Sequence, residues 1–219
     1  MVSKNSCIRC EKCREVCSHP ERCIHCGNCV EVCPLRLRKI CGKQYSAEEL
    51  AEILIKDKEF LQGNGGGITF SGGEPLAQHV FLFELIEKLD GVHTAIETSG
   101  YCAPEIFQRA VAEIDYIIMD LKLIDSTKHK FYTGADNERI IRNFNYLKTG
   151  PKPFVVRVPL IPGVNDTDEN LKQTALLVKD SVNLVRVELL PYHKTAGAKY
   201  GMVGMTYEPA FNTEQKPKA

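Results

Sequence analysis

The sequence predicts an α/β protein, with alternating helices and parallel strands over residues 44–219 behind a small cysteine-rich domain over residues 1–43. Three observations predict it. From Ser46 onward, short runs rich in Ile and Val alternate with stretches of helical apolar spacing. Eight of the 10 cysteines fall between residues 7 and 33. The composition then shifts after Cys41-Gly42-Lys43. Residues 1–43 carry too little aliphatic content to bury a core of their own, so bound metal must order them.

Within that first stretch, Cys7, Cys10, Cys13 and Cys17, then Cys23, Cys26, Cys29 and Cys33, repeat the spacing C-x2-C-x2-C-x3-C, closed by Pro34 in the second copy. This is the bacterial run that holds two [4Fe–4S] clusters, and the segment is read as a 2[4Fe–4S] ferredoxin-like domain. Three thiolates two residues apart wrap one corner of a cube. The fourth lies too far along to close the same cube and ligates the other cluster. The expected sets are Cys7, Cys10, Cys13 with Cys33, and Cys23, Cys26, Cys29 with Cys17. Zinc sites use separated ligand pairs rather than triplets. Disulfides need an oxidising compartment, and the N-terminal residues carry no signal-peptide pattern. His19 and His25 are read as solvated or supporting residues, because eight thiolates already complete the ligand count.

The second part is justified element by element. Ser46 followed by Glu49 is a capping-box signal, and Leu50, Ile53, Leu54 and Leu61 carry a helix to residue 62. Gly63 to Gly67 form a turn, Ile68 to Ser71 a short strand, and Pro75 stands where a helix can begin. Helices are then expected over 77–89, 103–113, 136–148 and 167–179, with strands over 92–97, 115–121, 153–160 and 184–190. Strands this rich in Ile and Val are expected to be covered on both faces.

Lys plus Arg and Asp plus Glu number 28 each, so no global field favours nucleic acid or an anionic membrane. No apolar run approaches the roughly 18 residues that span a bilayer. A cytoplasmic protein is expected, with neither nucleic acid nor membrane as a partner.

In a parallel α/β barrel, ligands bind at the C-terminal ends of the strands. Unusual residues gather at just those ends. Ser71-Gly72-Gly73-Glu74-Pro75 follows the first strand, Glu97-Thr98-Ser99-Gly100 ends the second, and Asp120-Leu121-Lys122 ends the third. Arg157 lies in the fourth, and Leu189-Leu190-Pro191-Tyr192-His193 ends the fifth.

These motifs, with the doubled cysteine run and Gly65 to Leu76 between them, resemble the glycyl-radical-enzyme activating enzymes. That family is the pyruvate formate-lyase activase-like branch of the radical S-adenosylmethionine proteins, here the subgroup with a 2[4Fe–4S] ferredoxin insert. The resemblance runs from about Cys7 to Tyr200. It implies a partial parallel (β/α) barrel of radical-SAM type and an iron–sulfur oxidoreductase activity. In that activity a third, site-differentiated cluster reduces S-adenosylmethionine, and the resulting radical takes hydrogen from a glycine of a partner enzyme. It implies flavodoxin or ferredoxin as electron donor. Carried over residue by residue, Gly72, Gly73 and Glu74 would bind the methionine ammonium. Thr98 and Asp120, with Glu97, would lie near its carboxylate, and Arg157 would contact the carboxylate or ribose. Leu190 and His193 would sit against the adenine. Lys122 ranks below these as a solvated charge.

One departure follows from the residues. The family holds its third cluster on C-x3-C-x2-C, and no such triplet occurs here: after Cys13 and Cys17 comes Pro20, after Cys29 and Cys33 comes Arg36. Cys41 and Cys102 remain, read as buried apolar residues, and Met202 and Met205 are read as packing residues. The expectation is an internal piece of a six-unit partial barrel, truncated at the N-terminus and at the C-terminus, with an exposed sheet edge. Such a piece is expected to be inactive alone, with no catalytic residue assigned. The alternatives are a two-cluster electron-transfer module with a vestigial barrel, and a non-catalytic partner-binding remnant.

Overall fold

A computed structural model describes residues 6–21, 24, 26–40, 42–89, 91–193, 197, 200 and 205–217. Cys23, His25, Cys41 and Met202 lie outside the described residues. The chain divides into two compact units, one of residues 1–44 and 193–209, the other of residues 45–192 and 210–219.

In the first unit, each cysteine run forms one short helix, α1 (Lys12–Glu15) and α2 (Asn28–Glu31), and the two pack against each other. The helices repeat the sixteen-residue offset of the cysteines. Both are entered through a left-handed residue, Glu11 at φ 59° and Gly27 at φ 87°. Glycine takes that conformation freely, whereas a residue with a Cβ is held there against about 1–2 kcal/mol. All the described cysteines are free thiols.

The second unit is a five-stranded parallel sheet in the order β1-β2-β3-β4-β5, formed by β1 (Ile68–Phe70), β2 (Thr94–Thr98), β3 (Tyr116–Asp120), β4 (Phe154–Leu160) and β5 (Leu184–Pro191). Helices α3 (Ala47–Ile55) and α4 (Lys58–Gly63) precede the sheet. The expected capping box starts α3: Glu49 N donates to Ser46 Oγ at 3.1 Å, and Ser46 N donates back to Glu49 Oε2 at 2.9 Å. The single helix expected to residue 62 breaks at Lys56 and Asp57. Pro75 opens a 3₁₀ turn, Pro75–Gln78, that leads into α5 (His79–Lys88). Pro104 likewise occupies the first turn of α6 (Pro104–Glu113). Helices α8 (Glu138–Thr149) and α9 (Asp168–Val178) follow, close to the ranges read from sequence.

The helix α7 (Ser126–Thr133) had no counterpart in the sequence reading. It buries only His129, leaves Phe131 75% exposed, and so has no apolar period to betray it. Its start is set by Asp125, whose Oδ1 accepts from Lys128 N at 2.9 Å.

One sheet face packs under helices. Ile96, Ile117, Met119, Phe154, Val156, Val158 and Leu160 lie at 1% exposure or below. They join Phe107 of α6 and Phe144 and Leu147 of α8 in one core. The other face is half-buried and polar at its centre, where Glu97, Asp120 and Arg157 alternate with those core residues. The expectation that both strand faces are covered therefore holds for one face only. The edge strand β5 is mostly open, with Val185 at 52% and Leu189 at 43% exposure.

Candidate functional site

The loop after β1 starts the site. Gly72 adopts φ 123°, a conformation L side chains rarely enter, and a methyl group on Gly72 or Gly73 would meet nothing within 4 Å. The backbone is therefore open on the side where a ligand can approach.

Glu74, next in the chain, is half-buried and saturated with donors. Its Oε1 accepts from Leu76 N at 3.2 Å and Thr98 Oγ1 at 2.7 Å, and its Oε2 accepts from Ser99 N at 2.9 Å and Ser99 Oγ at 2.6 Å. A carboxylate offers about four lone-pair sites, and all are filled. Glu74 thus brackets the β1 loop to the end of β2. Thr98 is 3% exposed, and its hydroxyl also accepts from Gly100 N at 2.9 Å, so it serves the bracket from beneath.

Across the polar sheet face runs a row of charges. Ser71 Oγ donates to Glu97 Oε2 at 2.7 Å. Glu97 Oε1 pairs with Arg157, whose guanidinium reaches across β3 to make the contact. Arg157 Nε also donates to Glu188 Oε2 at 2.7 Å, and Glu188 Oε1 receives Arg186 at 2.6 Å. The hydrogen bonds from Arg157 and then Arg186 hold the Glu188 carboxyl below the usual carboxylate range. The Arg157 guanidinium is raised above its ordinary value, through Glu188 first, against a desolvation that opposes it, and through Glu97. Asp120, the register partner of Arg157, instead accepts from Lys122 Nζ at 2.9 Å.

The predicted residues therefore form three small groups. Glu74 joins Thr98, Arg157 joins Glu97, and Asp120 pairs with Lys122, while Gly72 and Gly73 stay open. Leu190 lies on β5 at 40% exposure, and His193 begins the segment that belongs to the other unit.

Sequence reasoning quoted Ser99 in its strand-end motif without giving it a role, and missed Arg186, Glu188 and a set of buried asparagines that hold the loops. Asn143 Nδ2 donates to the carbonyls of Gly100 at 2.8 Å and Cys102 at 3.1 Å. Asn165 Nδ2 donates to those of Lys122 at 2.8 Å and Pro159 at 2.6 Å. The signal for Asn143 was there: it falls between Ile140 and Phe144 on the buried face of α8, where a polar residue needs a partner. Cys102 is buried at 8% exposure, and burial first, then the charge of Glu74, pushes its thiol up to about 11. That is an inert packing thiol.

In the cysteine-rich unit, Leu37 N donates to Cys33 Sγ at 3.3 Å, and this bond leads the causes that hold the Cys33 thiol below its ordinary value. The Arg38 guanidinium is raised above its ordinary value, against the desolvation that opposes it, by Cys13 and then Cys29. Among the described residues, no three His, Cys, Asp or Glu side chains converge on one ion. A cubane does not require that, because each of its irons takes a single thiolate. Thiols in triplets, with an amide donor aimed at the Cys33 sulfur, suit a [4Fe–4S] donor set.

A parallel βα sheet whose C-terminal rim carries an open glycine pair and paired charges defines an α/β ligand-binding protein of the barrel class. The profile of the radical SAM superfamily matches residues 17–175, and the chain belongs to that superfamily, among the activating enzymes of glycyl-radical enzymes. It is 40% identical over 174 residues to a 4-hydroxyphenylacetate decarboxylase activating enzyme of Clostridioides difficile, a match covering 78% of this chain and 54% of that protein. The chain therefore spans about half the length of that relative. A trans-4-hydroxy-L-proline dehydratase activating enzyme of the same organism is 34% identical, over 95% of this chain and 74% of its own. Among solved structures, a domain of a pyruvate-formate lyase-activating enzyme from Bacteroides vulgatus matches with a TM-score of 0.55 at 33% identity, covering 60% of this chain and 83% of that one.

Membership implies a [4Fe–4S] cluster and S-adenosylmethionine. The rim fits an amino-acid zwitterion, with an open backbone and charges of both signs. The residues present do not fit the cluster that cleaves S-adenosylmethionine, because no C-x3-C-x2-C occurs among the 219. No helix of the described residues is long and apolar enough to cross a membrane.

Proposed function

We propose that these residues form the two-cluster electron-transfer part and the S-adenosylmethionine-binding rim of a glycyl-radical-enzyme activating enzyme. The observation that carries the proposal is the open Gly72–Gly73 backbone beside a row of alternating charges at the C-terminal edge of the sheet. The methionine ammonium is received at Gly72 and Gly73, with the Glu74 carboxylate fixing that loop and adding negative charge. Asp120 and Glu97 face the amino-acid end, Arg157 takes its carboxylate or the ribose, and Leu190 contacts the adenine. The eight cysteines from Cys7 to Cys33 hold two [4Fe–4S] clusters, which receive electrons from flavodoxin or ferredoxin. The partner is a glycyl-radical enzyme, and a reducing cytoplasm keeps the thiols free.

Cleavage of S-adenosylmethionine would need a further cluster on a C-x3-C-x2-C, which does not occur among these 219 residues.

The test is reconstitution with iron and sulfide, followed by iron analysis, equilibrium dialysis with S-adenosylmethionine, and product analysis after reduction. About eight irons per chain are expected, with S-adenosylmethionine binding that Arg157→Met weakens and no 5′-deoxyadenosine above background. About eight irons without S-adenosylmethionine binding would leave a two-cluster electron-transfer module. Release of 5′-deoxyadenosine would overturn the limit placed on the chemistry.

A further inference from the structure

We infer that Glu97 makes the rim select an amino acid, because it is the exchangeable partner of Arg157 whereas Glu188 is the permanent one. An incoming carboxylate displaces Glu97, and the freed Glu97 receives the ammonium carried by the same ligand. The inference rests on the S-adenosylmethionine-binding reading above and adds which carboxylate moves.

The two partners of Arg157 are not equivalent. Glu188 stands opposite Arg157 in the β4–β5 register and accepts from its Nε at 2.7 Å. The other oxygen of Glu188 is held by Arg186, whose Nε donates to it at 2.7 Å. Glu97 lies on β2, and the Arg157 guanidinium must cross β3 to reach it. Its side chain is the more exposed of the two, at 34% against 22% for Glu188. The hydrogen bond to Glu188 also leads the causes that raise the Arg157 guanidinium, ahead of the charge of Glu97. Asp120, on the strand between, accepts from Lys122 Nζ at 2.9 Å and so does not compete for Arg157.

Glu97 has a second donor when Arg157 leaves it, because Ser71 Oγ donates to its Oε2 at 2.7 Å. Ser71 directly precedes Gly72 and Gly73, whose backbone is open to a ligand. The released carboxylate is therefore tied to the loop where the ammonium is received. A half-buried charge pair that loses one partner leaves the other poorly solvated. A ligand with a carboxylate alone takes Arg157 and leaves Glu97 with only a hydroxyl. A ligand with an adjacent ammonium restores an opposite charge to Glu97, and the exchange then costs little.

The experiment is equilibrium dialysis of S-adenosylmethionine against the reconstituted full chain, with two competitors. These are L-methionine and 4-(methylthio)butanoate, the same molecule without its ammonium. The wild type is expected to prefer methionine by about ten- to hundredfold, the range of one charge-assisted contact. Glu97→Gln is expected to cut that preference by about tenfold or more. The analogue then takes Arg157 without stranding a charge, and methionine loses the partner of its ammonium. Glu188→Gln should weaken both competitors together and keep the preference. Partial unfolding scales both affinities alike, so the ratio within one variant reports the site, and Glu97→Ala is read the same way. A preference unchanged in both Glu97 variants, with S-adenosylmethionine still bound, overturns the role of Glu97 alone. A preference lost in Glu188→Gln and kept in Glu97→Gln does the same. Wild-type protein that binds no S-adenosylmethionine overturns the binding-rim reading, and the inference with it.

Discussion

Glu74 offers the sharpest test of how the rim is built. Each of its oxygens faces one backbone N–H that can only donate, Leu76 N at 3.2 Å on one side and Ser99 N at 2.9 Å on the other. The two hydroxyl donors, from Thr98 and Ser99, can rotate; the amides cannot. In Glu74→Gln the side-chain NH₂ must therefore oppose a backbone N–H whichever way the amide turns. The favoured orientation gives up the longer bond, to Leu76, and turns the remaining charge-assisted bonds into neutral ones. Hydrogen bonds to a charged group contribute about 1.5–3 kcal/mol and neutral ones about 0.5–1.5 kcal/mol. A net loss of about 1.5–3 kcal/mol in the local opening free energy follows, which is roughly ten- to hundred-fold faster amide exchange. The assay is hydrogen exchange read at Ser99 and Leu76, with Val156 in the core of β4 as an internal reference that should not change. Unaltered exchange at both amides in Glu74→Gln would refute the bracket. S-adenosylmethionine affinity should fall in the same variant, because the bracket holds the loop bearing Gly72 and Gly73.

Two further outcomes follow from neighbouring residues. The Glu188 carboxyl is held below its ordinary value by Arg157 and Arg186, so its stabilisation is complete above the unfolded glutamate value near about 4.3 and is lost as pH falls through the lower folded value. The melting-temperature gap between wild type and Glu188→Gln should therefore close between about pH 6 and about pH 3; a gap independent of pH would count against the pairing. Asn143→Leu keeps nearly the same volume but strands the carbonyls of Gly100 and Cys102. It should destabilise the chain by about 2–4 kcal/mol in denaturant unfolding, and a loss below about 0.5 kcal/mol would mean that water replaces the amide.

What was legible in the sequence was local. The capping box at Ser46, the proline that starts a helical turn at Pro75, and the cysteine repeat each encode their geometry within a few residues. The strand ends were legible because apolar runs stop where polar motifs begin. The contacts that join those motifs were not. Arg157 meets Glu188 only because β4 and β5 pair in one register, thirty-one residues apart in the chain, and meets Glu97 only by spanning β3. Helix α7 was invisible for the opposite reason: its cap is local, but its burial has no period. Asn143 reads as a blemish on an amphipathic helix until the carbonyls it serves are placed beside it.

The charge row also narrows what the rim can hold. Glu97, Asp120 and Glu188 stand against Arg157, Arg186 and Lys122, all on β2 to β5 or the residue pair just beyond β3. Each sign is already paired, so the row has no spare field for a simple anion, and an added phosphate would have to strip Arg157 from two carboxylates at once. A ligand that brings both signs on adjacent atoms can exchange pairs instead. Its carboxylate takes Arg157 while its ammonium takes over the carboxylate released, and the number of opposite-charge contacts is conserved. An α-amino acid has that arrangement and an isolated phosphate or carboxylate does not. The half-buried setting sharpens the difference, because stripping a pair without replacement leaves a charge poorly solvated. Competition by free methionine, but not by phosphate or acetate at equal ionic strength, is what this pairing logic requires of the rim.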